Sequence, residues 1–166
     1  MKRFRFLSLL LVISVIALFL RCHNISHGFG IHPDERHIVS TTLKINWNDL
    51  NPEFFAYGSF PFYLGRAVSA TLGYIDPWLS SYDGMYVVGR WISVIFGVLT
   101  VGLTALYGRA LFGGSLVPLL GALFLALNVF HLQLSRFFAF DVILSFFCLL
   151  GLYGISKILK GSLISG

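Results

Sequence analysis

Apolar residues run without a charge through "FLSLLLVISVIALFL" at 6–20, "WISVIFGVLTVGLTALY" at 91–107 and "LVPLLGALFLALNVF" at 116–130. A fourth run, "FFAFDVILSFFCLLGLYGI" at 137–155, contains a single acid. Each lies at or slightly below the roughly 20 residues needed to cross about 30 Å of hydrocarbon, so neighbouring residues are drawn into each helix or polar flanks snorkel. The pattern predicts an all-α polytopic membrane protein with about four transmembrane helices, at about 6–20, 88–109, 115–132 and 137–156, and one external loop of about 21–87. Within that loop the period is also helical. Pro33 suits a first helical turn, Asp34 and Glu35 follow at its positive end, and Ile38, Val39, Thr42 and Leu43 form one face before "NWNDLNP" ends it. A second amphipathic helix is expected from Pro61 to Leu72, broken by Gly73, Asp76 and Pro77. The loop is rich in Phe, Tyr and Trp, which favour the headgroup zone, so these helices are read as interfacial.

Composition sharpens this picture. Only 11% of the 166 residues are charged and the mean hydropathy is +0.82, which excludes an ordinary soluble domain. The charges sort by side. Lys2, Arg3, Arg5, Arg109, Lys157 and Lys160 fall on one side of the four spans, and the seven acids fall on the other side or at its edge. Basic residues in short loops mark the cytoplasmic side, giving a cytoplasmic N-terminus and an integral location, by default in a bacterial plasma membrane. The net charge of +5 is therefore topological, and no basic patch interleaved with aromatics suggests nucleic acid. The first span reads as an uncleaved anchor, because "ALFLRCHN" lacks a small-x-small cleavage pattern and Arg21 before Cys22 argues against a lipid-attachment cysteine. Cys22 and Cys148 imply no disulfide framework, and Asn24 in "NIS" matters only in a host that glycosylates.

Against this apolar background two places concentrate chemistry. "HPDERH" brings His32, Asp34, Glu35 and His37 together but lacks the H-E-x-x-H spacing of a metalloprotease. Its acids are either a helix-terminal pair of dipole value only or a general base outside the membrane, taking a proton from a hydroxyl. Asp141, about one turn into the fourth span, is the other, since an intramembrane carboxylate usually faces a bundle interior or a wet cavity. With Ser145 and Cys148 it forms a polar stripe expected to point away from lipid. A structural reading pairs Asp141 with Arg136 or Arg90. Five helical residues put Arg136 about 140° from Asp141, so Arg136 is better placed before the helix, snorkelling or with its fork free for a phosphate.

Taken in order, "HPDE", "NPEFFAYGSFPFYL", "GRWISVIFGVLTVGLTALYGRALFG" and "LGALFLALNVFHLQLSRFFAFDVILSFF" resemble the N-terminal part of GT-C fold glycosyltransferases. The narrower resemblance is to the protein O-mannosyltransferase and aminoarabinose transferase group, family 39 and its relatives. It implies a glycosyltransferase that moves a sugar from a polyprenyl or dolichyl phosphate donor to a protein, lipid or glycan acceptor on the external face. It further implies Asp34 and Glu35 as the catalytic carboxylates, Arg136 and Asp141 as substrate-binding groups of one cavity, and Arg90 as structural. Some relatives hold a divalent metal near the carboxylates and others need none, which leaves Asp34, Glu35 and Asp141 as metal candidates. Full members carry more spans, so the resemblance implies that residues 1–166 are the N-terminal part of a membrane domain, inactive alone. The competing expectation is a non-enzymatic membrane subunit or small transporter whose acids form structural pairs.

Overall fold

The structure, a computed structural model, describes residues 2–23, 25 and 32–164. Asn24 and Ser26 of the glycosylation triplet lie outside the described residues. The described chain is helical throughout, apart from turns and an isolated bridge between Asn46 and Asp49. Its helices are α1 (Lys2–Cys22), α2 (Pro33–Lys44), α3 (Phe60–Gly73), α4 (Tyr82–Phe112), α5 (Leu116–Leu127), α6 (Val129–Leu134) and α7 (Phe140–Ile164).

Three of them, over Phe4–Cys22, Tyr82–Phe112 and Phe140–Lys160, are long and apolar enough to cross a membrane. The polytopic, all-α expectation holds, and two details of it change. The helix at the second run starts well before the apolar window. Ser81 caps it by accepting from the Gly84 N–H at 3.1 Å, Asp83 sits at its positive end, and Gly113 closes it in the left-handed conformation with φ 72°. Hydropathy is blind to that start, because caps and first turns are polar.

The third run is not one continuous helix. α5 has 12 residues, about 18 Å at 1.5 Å per residue, too short to span alone. It stops because Asn128 adopts an extended backbone (φ −63°, ψ 116°), and its side chain caps α6 by accepting from the His131 N–H at 2.9 Å.

Two apolar clusters hold the helices together. In one, Phe6, Leu10, Ile13 and Ala17 form a single stripe along α1 and pack against Val101 and Ala105 of α4 and Leu119, Ala122 and Ala126 of α5. The small residues let the backbones approach, which replaces the hydrophobic driving force that is missing inside lipid. In the other, Ile38 and Val39 of α2 and Phe62 of α3 cover Met85, Val88 and Ile92 of α4. Both loop helices therefore sit on the N-terminal half of α4, near their expected bounds. Trp47, Phe55, Tyr74 and Trp78 stay exposed around them, as suits residue types of the headgroup belt.

Phe138, just ahead of α7, is 1% exposed and is seated between glycines of two helices. A Cβ at Gly89 of α4 would run into its ring, and one at Gly65 of α3 would crowd its far edge. Gly89→Ala should therefore destabilise the fold by about 1–3 kcal/mol through overpacking. Gly102→Ala, also in α4 but with nothing near its added methyl, should be neutral or stabilising by up to about 1 kcal/mol, since Ala is the better helix former. Thermal unfolding of the two variants in detergent checks this.

Candidate functional site

Successive residues of a helix point about 100° apart, so Asp34 and Glu35 at the start of α2 cannot face the same way. Glu35 turns inward. Its oxygens take a bidentate pair from Arg90 of α4, Nε and Nη2 each at 2.8 Å, with side-chain exposures of 7% for Arg90 and 0% for Glu35. Glu35 Oε1 also accepts the Phe138 N–H at 3.0 Å, and Arg90 Nη1 donates to the Ile25 carbonyl at 3.0 Å. This pair ties α2, α4, residue 25 and the lead-in to α7 together. Ser93 extends the tie by accepting the Ala139 N–H at 3.3 Å.

Asp34 turns outward, with its side chain 59% exposed and Oδ2 at 3.7 Å from Nδ1 of His32. It borders a cleft of about 180 Å³, whose walls also include His32, Glu35, Tyr57, Phe137 to Phe140, and Asp141. Thus the structure brings Asp34, Glu35 and Asp141 to one cavity although 107 positions separate the first from the last. Beyond the cleft runs an apolar groove of about 370 Å³, lined by Phe60, Pro61, Ile143, Leu144 and Phe147, among others. Cleft and groove share Tyr57, Phe140 and Asp141. Tyr57 and Phe140 are stacked, with ring centroids 4.8 Å apart and planes at 26°. Phe62 meets Phe140 edge-on at 5.0 Å, which fixes the floor of the pair.

Asp141 lies in the first turn of α7, favourably placed at the positive helix end. Of the expected stripe, Asp141 faces the cleft rather than a bundle interior. Asp141, Ser145 and Cys148 are all exposed, and the buried face of α7 is Val142 and Ile143. The Ser145 hydroxyl donates back to the Asp141 carbonyl at 2.6 Å. The reason is that Phe138 and Ile143 claim the side of the chain facing α4, which leaves Asp141 at the cleft and groove.

Neither sequence-based partner of Asp141 is found with it. Arg90 is engaged by Glu35, as described. Arg136 does precede α7, but it does not line the cleft. Its Nη2 donates to the Leu20 carbonyl at 2.6 Å, at the end of α1.

There it joins a cluster that the sequence reading passed over. Arg21 is fully buried and donates to the Ala17 and Ala126 carbonyls at 3.0 and 3.3 Å, and to Ser135 Oγ at 3.3 Å. Its Nη2 lies 2.9 Å from His131 Nδ1. A guanidinium only donates, so Nδ1 must accept and the imidazole proton is assigned to Nε2, which is buried without a hydrogen-bond partner among the described residues. The signal was present, since a charge ending an apolar run marks either a snorkelling or a bridging residue.

The donor set for a metal is thin. Among the described residues no three of His, Cys, Asp and Glu gather closely enough to hold an ion. Both Glu35 oxygens are held by Arg90, and His37 is exposed and lines neither cavity. Among the described residues, the candidates Asp34, Glu35 and Asp141 do not assemble into a metal site.

Two predictions follow from this geometry. Glu35→Ala strands a buried guanidinium and should cost about 3–5 kcal/mol of stability, whereas Asp34→Ala should stay within about 0.5 kcal/mol. Unfolding in detergent compares them. Burial, and then the neighbouring Arg21, push the His131 imidazole down to about 4, against about 6.5 in an unfolded chain. The unfolded chain therefore binds a proton that the folded one refuses. The stability linked to neutral His131 is complete above about pH 6.5 and is lost as pH falls toward 4. Melting temperature against pH should show this slope, and His131→Gln should flatten it.

Compared with protein-family models, residues 53–163 match dolichyl-phosphate-mannose-protein mannosyltransferase. Neither a curated protein nor a solved structure matches the chain.

Proposed function

The chain belongs to the dolichyl-phosphate-mannose-protein mannosyltransferase family, and from that premise we propose how its cleft performs transfer from a dolichyl-phosphate-sugar donor. The observation that carries the reading is the meeting of a carboxylate-bearing cleft and an apolar groove at Tyr57, Phe140 and Asp141. The donor is an amphiphile with the same division, a polar sugar phosphate joined to an isoprenoid chain. Its head takes the cleft and the first part of its chain takes the groove.

Asp34 is the general base. It lines the cleft with its side chain 59% exposed, beside His32, so its oxygens are open to an incoming hydroxyl. It removes the proton of an acceptor hydroxyl, the freed oxygen attacks the anomeric carbon, and the bond from that carbon to the phosphate oxygen breaks. The electron pair leaves with the lipid phosphate, and a single in-line displacement inverts the anomeric centre. Asp141 orients the sugar from the opposite wall. His32 and the Tyr57 hydroxyl, both on the cleft, are the donors for the phosphate. Glu35 is a positioning residue, acting through Arg90 and the Phe138 N–H. Arg136 braces the end of α1, its bond to Leu20 supporting that role over phosphate contact.

The reaction side is the external one. The basic side chains Arg109, Lys157 and Lys160 lie toward the far ends of α4 and α7 from the cleft, and basic residues in short loops mark the cytoplasmic face. The family description makes a protein hydroxyl the acceptor to test first.

In membranes where this chain supports transfer of mannose from dolichyl phosphate mannose to a serine- or threonine-containing peptide, Asp34→Asn should lower that transfer by about 100-fold or more. Helix content and insertion should not change. Transfer within a few-fold of the unsubstituted chain would exclude Asp34 as base. Absence of transfer by the unsubstituted chain, with no capture of a photoreactive donor, would favour a non-enzymatic membrane subunit.

A further inference from the structure

The end of the molecule remote from the cleft has a pocket of its own. It occupies about 310 Å³ between α1, α4 and α7, walled by Phe6, Leu106 and Tyr153 and carrying two cations, Arg109 and Lys157. Arg109 lies over the Phe6 ring at 4.2 Å, and Lys157 lies 5.5 Å from the centre of the Tyr153 ring. Lys160 closes the rim by donating to the Ala110 carbonyl.

What these cations lack is an anion. Among the described residues, no carboxylate or carbonyl accepts from Arg109 or Lys157, and the acid closest to Lys157 along α7, Asp141, is about 24 Å away. Aromatic faces hold a cation without neutralising it. A guanidinium lying on a ring keeps its in-plane N–H groups free for an oxyanion. Ordinary snorkelling explains basic residues at a helix end, but it does not explain a three-helix pocket that turns two of them onto aromatic rings above apolar walls.

We propose that this pocket binds the headgroup of an anionic phospholipid. Arg109 and Lys157 contact the phosphate, and Phe6, Leu106 and Tyr153 contact the glycerol and upper acyl carbons. Basic pockets between membrane helices take headgroups in this way. The apolar walls favour a lipid over free phosphate, whose whole surface is polar. The site does not depend on the catalytic reading of the cleft.

The test is native mass spectrometry of the purified chain in detergent, titrated with phosphatidylglycerol or phosphatidylcholine. The chain should retain one tightly held phosphatidylglycerol and lose phosphatidylcholine readily. Binding should weaken about five-fold in Lys157→Gln and about thirty-fold when Arg109→Gln is added. Lys44→Gln, on a loop helix, should leave it unchanged. If the double variant does not fold, Lys157→Gln, on the exposed side of α7, carries the comparison. Equal retention of the two lipids, or undiminished binding by the folded variants, overturns the proposal. Displacement by glycerol phosphate at matching concentration also overturns it, in favour of a soluble phosphate ligand.

Discussion

The arrangement of the cleft end of the molecule depends on one buried ion pair. Two charges taken from water lose several kcal/mol of hydration each, and only good geometry with further hydrogen bonds compensates them. Glu35 and Arg90 meet that condition, being bidentate and bonded beyond each other to the Phe138 N–H and the Ile25 carbonyl. Replacing such a pair with apolar residues is often no less stable, so its value here is read as specificity. It sets the rotation of α2 on α4 and the place where the chain enters α7. Once Glu35 is inward, helical geometry sends Asp34 outward to the cleft.

This explains what could and could not be read from the sequence. The long apolar runs, the proline-led loop helix and the turn between α4 and α5 were legible because each rests on local pattern. The break at Asn128 was not, since hydropathy averages over a residue whose effect comes from capping the next helix. The orientation of Glu35 was not legible either. Its partner is 55 positions away, and "DE" looks the same whichever acid turns inward. The convergence of Asp34 and Asp141 entered through family resemblance, which carries long-range information that spacing lacks. The exposed stripe of Asp141, Ser145 and Cys148 shows the limit of periodicity, which finds a face but not its neighbour.

Glycine and aromatic placement complete the site from behind. Phe138 fits because Gly89 and Gly65 lack side chains where its ring lies. With Phe138 seated, its N–H reaches Glu35 and Phe140 reaches Tyr57. The packing that secures the helices thus also sets the boundary between polar cleft and apolar groove.

That boundary bears on where the chemistry takes place. A carboxylate base inside hydrocarbon would become protonated or would require a buried partner, as Glu35 does. A carboxylate in bulk water would be free, but a donor anchored by its isoprenoid tail could not bring its anomeric carbon there. Asp34 and Asp141, exposed beside an aromatic pair that borders an apolar groove, meet both requirements. On the proposed reading, the same division of polar and apolar surface that would seat the amphiphilic donor leaves Asp34 exposed at its edge.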